Sequence, residues 1–239
     1  MTAAMPSRRE RLRTATLGEI KDVARRLLVT EGPAGISLRA IAREMGMTAP
    51  ALYRYYPNLG ELIGGLCADL YDEASVALEH ARDTCGSTDP GDRLRAVSRE
   101  FRRWSVAHPA EFGLMFGSPL PGLPADKLHP QTPVDEAGNR FAGIFLGLFV
   151  EVWQRAPFET PPADELPAAL RSQLEGYMNA TGLHLPAGAA QLFLSCWIRL
   201  YGLVAMEVFG HLNFALSDVE PMFEAELASA AKLLGISPS

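Results

Sequence analysis

Cysteine is scarce in this chain: Cys67, Cys85 and Cys196 are its three cysteines in 239 residues. None lies in a CxxC or Cys/His ligand spacing, which excludes a disulfide-stapled or zinc-stapled scaffold and fits a reducing compartment. Each thiol reads as a small buried hydrophobe. Long apolar runs are also missing. Phe141 to Trp153 is the most apolar stretch, and it is interrupted by Glu151 and falls short of the ~20 residues a spanning helix needs. No charged-then-apolar leader pattern occurs, since Met1 to Arg13 is polar and Arg-rich, so a soluble, cytoplasmic protein is expected. GxSxG, HExxH and P-loop motifs are all absent. His80, His108, His129, His184 and His211 have no neighbouring Cys, Asp or Ser that would make a nucleophile–base pair or a metal site obvious. No enzyme, metal or cofactor is therefore expected. Alternating strands, repeats and low-complexity segments are lacking too.

What is present is concentrated between Ile36 and Leu62, ISLRAIAREMGMTAPALYRYYPNLGEL. Leu38, Ile41, Ala42 and Met45 follow the i, i+3, i+4, i+7 spacing of a short amphipathic helix. Ser37 stands at its N-cap, and Gly46 closes it in the left-handed conformation that glycine adopts cheaply. Thr48 offers a second N-cap, with Pro50 in the first turn, where its missing N–H costs nothing. That second helix runs through Leu52 and Tyr56 and stops before Pro57. Two short helices joined by a tight glycine turn form a helix-turn-helix, whose second helix enters a DNA major groove.

Charge is distributed in the same sense. The first sixty residues hold ten Arg/Lys and five acids, a local charge of +5. The whole chain carries −6, which leaves −11 for the remainder. A basic head on an acidic body suits a head that meets phosphates. With Leu52 and Tyr56 facing inward, Thr48, Ala49, Ala51, Tyr53, Arg54 and Tyr55 lie on or near the exposed face. Thr48, Ala51 and Arg54 are expected at base edges, with Tyr53 and Tyr55 as phosphate anchors. Ser37, Arg39 and Arg43 on the preceding helix complete the DNA-facing set, together with Arg8, Arg9 and Arg11. Those arginines, with Arg13, are expected to precede the first packed turn as an arm.

The segment from about Arg9 to Leu66 resembles the N-terminal domain of the tetracycline-repressor (TetR) family, with its aromatic-rich "LYRYY" and short turn into a long fourth helix. One departure stands out. Where the family usually has a backbone-contacting Lys, this chain has Leu59 followed by Gly60. Further on, Trp197 to Leu212, WIRLYGLVAMEVFGHL, resembles the signature of the "WHG" type of TetR C-terminal domain. Tyr201-Gly202 stands in for its His-Gly, and FGHL is kept.

From Glu61 onward the pattern is helical throughout. Helices are expected at about 60–82, 90–107, 109–116, 132–155, 163–181, 186–210 and 217–234, with a loop of five prolines at 117–130. The expectation is an all-α protein of about ten helices: a head at 1–60 and an effector-binding, dimerisation body at 61–239. The resemblance implies a homodimer, and a seam along Leu192, Cys196, Leu200, Leu203 and Val204 is what it requires, with the 163–181 helix as a second candidate surface; the other reading of the stripe is packing within one subunit. It also implies a small-molecule effector. The candidate lining is Phe101, Trp104, His108, Phe112, Met115, Phe145, Phe149, Trp153, Tyr177 and Met178, which plain core packing would explain as well. Gly143 and Gly147 read either as a cavity or as a close helix crossing. The expected function is a transcriptional regulator, a repressor released by a small apolar or amphipathic effector, reading a palindromic double-stranded operator. The alternative is an all-helical small-molecule-binding or interaction protein whose helix-turn-helix no longer binds DNA.

Overall fold

A computed structural model describes residues 7–117, 132–183 and 185–236. Those residues form ten α-helices and one 3₁₀ turn, Pro33–Gly35, with no strand among them. The helices are α1 (Arg8–Glu31), α2 (Leu38–Glu44), α3 (Ala49–Leu52), α4 (Leu59–Thr84), α5 (Pro90–Ala107), α6 (Pro109–Phe116), α7 (Pro133–Arg155), α8 (Ala168–Thr181), α9 (Ala187–Val208) and α10 (Glu220–Leu233). Most boundaries fall where proline and glycine place them. α8 starts five residues later than the pattern suggested, because Ala163 to Glu165 form turns instead. The proline-rich loop largely lies outside the described residues, as do His129 and His184.

The fold divides into two compact units. The first comprises residues 1–73 and 108–139, and the second residues 74–107 and 140–239. In the first unit, Ile20, Ala24 and Leu28 of α1 pack with Ile41 of α2, Leu52 of α3 and Leu62 and Leu66 of α4. Burying each of these Ile and Leu side chains stabilises by about 1.5–3 kcal/mol relative to exposure. Ala110, Leu114 and Met115 of α6 pack on the same core. Arg25 ties these helices by charge, donating Nε–H to Glu111 Oε1 at 2.9 Å and gripping Glu73 at 2.6 and 3.2 Å. Hydrogen bonding to Glu73 is the main reason its guanidinium is held in the charged form more firmly than usual.

The second unit centres on aromatic rings. Phe101 of α5 lies 5.6–5.9 Å from Phe141 and Phe145 of α7 and Trp197 of α9, centroid to centroid. Phe149 packs edge-on against Phe193 at 5.3 Å and Phe158 at 5.4 Å. These are the tilted and T-shaped separations that ring quadrupoles favour. A side chain added at Gly143 or Gly147 would meet nothing within 4 Å, so neither glycine serves a close helix crossing within the chain.

Candidate nucleic-acid interface

The reader is built by caps and one left-handed turn. Ser37 accepts the Ala40 N–H at 3.1 Å and fixes the start of α2. Gly46, at φ +64°, reverses the chain after α2, where a side chain would be strained. Met47 N–H then donates to Ala42 C=O at 2.8 Å and closes the turn. Thr48 occupies the N-cap of α3, is exposed, and makes no side-chain capping hydrogen bond. Regular helix ends at Leu52, and residues 53–55 continue as turns rather than helix. Pro57 and Asn58 then lead into α4. Asn58 caps that helix, accepting the Glu61 N–H at 2.9 Å. Leu59, at the position of the missing Lys, packs against the head core.

Arg39, Arg43, Thr48, Tyr53 and Arg54 are exposed, while Ala49 and Ala51 are half-buried on the same short element. Ser37, Arg39, Tyr53 and Asn58 border one shallow recess. Tyr55 is half-buried, with the Arg13 guanidinium 5.2 Å from its ring centroid. Arg13 also donates to the Arg54 C=O at 3.4 Å. The expected arm is not separate from the first helix. Arg8, Arg9, Arg11 and Arg13 are the exposed opening turns of α1, because Ser7 and Glu10 form a capping box. Ser7 N–H donates to Glu10 at 2.6 Å, and Glu10 N–H to Ser7 at 3.2 Å, which satisfies two otherwise orphaned donors. That pairing holds the Glu10 carboxyl below its ordinary pKa.

The residues expected to line an effector site are divided between the units. Phe112 is fully buried and Met115 half-buried in the first unit, where His108 takes the N-cap of α6. Phe101, Trp104, Phe145, Phe149 and Met178 are buried in the second, Trp153 is half-buried, and Tyr177 is exposed. Phe145 and Phe149 border a cavity whose other walls are α5, α9, α10 and Ile236. The α9 and α10 contributions were missed because those residues read as seam and generic core.

Of the five residues expected at a seam, one lies wholly inside the subunit. Val204 is 0% exposed within the single chain, so it has no surface to offer a partner. Leu192, Cys196, Leu200 and Leu203 are all half-buried, the last three bordering the same cavity. The exposed apolar residues of α9 and its C-terminal turn are Ile198, Met206 and Phe209, with Met222 and Leu233 on α10. Among the described residues α9 is also the one helix long and apolar enough to cross a membrane, and only 22% of that stretch is buried.

An exposed helix-turn-helix on a capped, basic head is the mark of a DNA-binding regulator. Comparison with known proteins agrees along the chain. Residues 20–64 match the family of bacterial regulatory proteins, tetR family, and residues 94–230 match the tetracyclin repressor-like C-terminal domain. The HTH-type transcriptional regulators Rv1816 of Mycobacterium tuberculosis and Mb1846 of Mycobacterium bovis are each 30% identical over 212 residues, covering 87% of this chain and 87% of theirs. The solved protein SCO4313 is 28% identical, with a TM-score of 0.73 over 95% of this chain and all of that one. RolR, solved with the ligand resorcinol, shares the fold at 14% identity, a TM-score of 0.56 and coverage of 95% and 94%. The chain belongs to the TetR family of transcriptional regulators.

Proposed function

We propose that this regulator is a cytoplasmic homodimeric repressor that reads a palindromic operator and is released by a small apolar or amphipathic effector. The observation that carries the reading is the arrangement of the head. Ile41 and Leu52 are sealed in its core, which turns Thr48, Tyr53, Arg54, Arg39 and Arg43 outward together. In this reading Thr48, Ala51 and Arg54 contact base edges, and Tyr53 a phosphate. Arg39, Arg43 and the α1 arginines meet the flanking strands. Residues 1–60 supply DNA binding, and residues 61–239 supply effector sensing and dimerisation. One short reader helix offers too little surface for useful specificity, so two heads spaced by about 34 Å or a multiple would engage successive major grooves.

The dimer is assigned to the exposed residues of α9 and α10 rather than to Val204. Ile198, Met206, Phe209, Met222 and Leu233 leave an apolar face that water covers at a cost. The fold shared with resorcinol-bound RolR supports a body that takes small molecules. Electrophoretic mobility shift with the protein's own upstream DNA tests the reading. A shifted band that sharpens with dimer concentration is expected, and a chain that shifts no DNA at low salt would leave only the ligand-binding alternative.

A further inference from the structure

We propose that the effector enters between α5, α9 and α10 by displacing Ile236, and that it is an uncharged amphiphile with one or two aromatic rings. This inference rests on the effector-responsive function above. Its first support is the wall. Phe145, Phe149, Phe193, Trp197 and Phe223 face the cavity, and they already pair edge-to-face or tilted, as Phe149–Phe193 and Phe145–Trp197 do at 5.3 Å. A bound ring would extend that pattern. The cavity itself measures about 70 Å³. An engineered apolar cavity of roughly 150 Å³ holds one benzene, so this one admits no ring as it stands.

The second support is what Ile236 separates. Its side chain borders both this cavity and an adjoining space of about 310 Å³ flanked by Asp89, Asp92, Arg155 and Gly235. With Ile236 withdrawn, the two spaces join and reach the ~300–1,000 Å³ typical of small-molecule sites. Ile236 is half-buried and is held through the C-terminal turn of α10. Its N–H donates to Ala231 C=O at 2.9 Å, and it follows Gly235, which closes α10 in the left-handed conformation at φ +65°. Its seat exists because residue 91 is glycine: a Cβ there would lie 2.5 Å from Ile236 Cγ2.

The polar end defines the ligand's charge. Asp89 pairs with Arg155 at 2.5 Å and Asp92 with Arg95 at 2.9 Å. Both carboxylates are thus already charge-paired in a partly exposed setting, and a hydroxyl can hydrogen-bond to either pair without displacing its partner. An occupant wedged behind α9 and α10 also presses on the two helices that carry the outward apolar face, which couples occupancy to dimer geometry.

Cys196 borders the cavity and reports on it directly. The full-length protein is labelled with methyl methanethiosulfonate, with and without 2-naphthol or toluene, and modification is followed by peptide mass spectrometry with Cys85 as internal reference. Occupancy should slow Cys196 labelling about tenfold at ten times the probe's Kd and leave Cys85 unchanged. Ile236→Ala and Gly91→Ala should each speed Cys196 labelling in the absence of probe, with helicity and the Cys85 rate as checks on folding. If neither probe slows Cys196 in the parent or in either folded variant, the site is wrong. If the parent is protected but the variants label at the parent rate, the Ile236 gate is wrong. Operator binding is measured separately by mobility shift. A protein that shifts DNA without Cys196 protection keeps the function and loses this site, and the converse keeps the site and loses the function.

Discussion

Replacing Val204 by Ala removes two methyl-sized groups from a position with no exposed surface. Transfer alone costs about 0.8 kcal/mol per group, or about 1.6 kcal/mol. The void left behind adds more, at about 24 cal/mol per Å³, for a total of about 2–3 kcal/mol. In a protein of this size each kcal/mol lowers Tm by about 2–4 °C, so the variant should melt about 4–12 °C below the parent. Ile198→Ala, 67% exposed on the same helix, should change the stability of the folded subunit by no more than about 0.5 kcal/mol. Its effect belongs to association. Differential scanning calorimetry at high protein concentration, where dimer dissociation contributes little, reads the first effect. Sedimentation across a dilution series reads the second. The pair separates the two orientations of α9. If Val204→Ala left Tm unchanged and weakened the dimer while Ile198→Ala did neither, the face assigned to the subunit interior would be the seam.

Further outcomes follow from the head and the thiols. Arg54→Ala should cost about 1–3 kcal/mol of operator affinity and relax sequence preference at one position, whereas Arg39→Ala or Arg43→Ala should flatten the salt slope by about one unit without changing preference. Arg25→Ala leaves Glu111, 5% exposed, without its guanidinium. Because Arg25 is itself partly solvated, the loss should be about 1–3 kcal/mol, below the range for a fully buried pair, and Glu111→Gln in the same background should recover part of it in a denaturant titration. Burial pushes the Cys67 thiol up to about 12 and, with Arg199 opposing it, the Cys196 thiol up to about 11. Both groups are therefore overwhelmingly protonated at pH 8, and iodoacetamide labelling of each should accelerate as pH rises towards those values. A flat rate between pH 8 and 10 would contradict the assigned environments.

The helices were legible because proline and glycine mark their ends. Asp89-Pro90, His108-Pro109 and Pro186 all fall at boundaries of α5, α6 and α9. The reader was legible because its caps and its glycine turn are local chemistry. The start of α1 was equally readable in Ser7-Arg-Arg-Glu10, a capping box whose geometry the structure displays; treating the arginines as a free arm overlooked it. α9 was not legible in the same way. Apolar residues occur around most of its circumference, so a stripe drawn through Leu200 and Val204 looks as regular as one through Ile198 and Phe209. Only the packing of α5, α7 and α10 distinguishes them. The cavity is not legible for a related reason: ring spacing along a helix says nothing about the gap left where helices cross, and its walls come from α5, α7, α9 and α10, which are spread along the chain.

The central claim is that this chain reads DNA as a two-fold dimer, and selection of bound duplexes from random sequence tests it most directly. The account predicts enrichment of an inverted repeat whose half-site centres lie about 10–10.5 base pairs apart or a multiple of that, with Arg54→Ala blurring symmetry-related positions in both halves. Recovery of no preferred sequence, or of an isolated half-site without a symmetric mate, would contradict it.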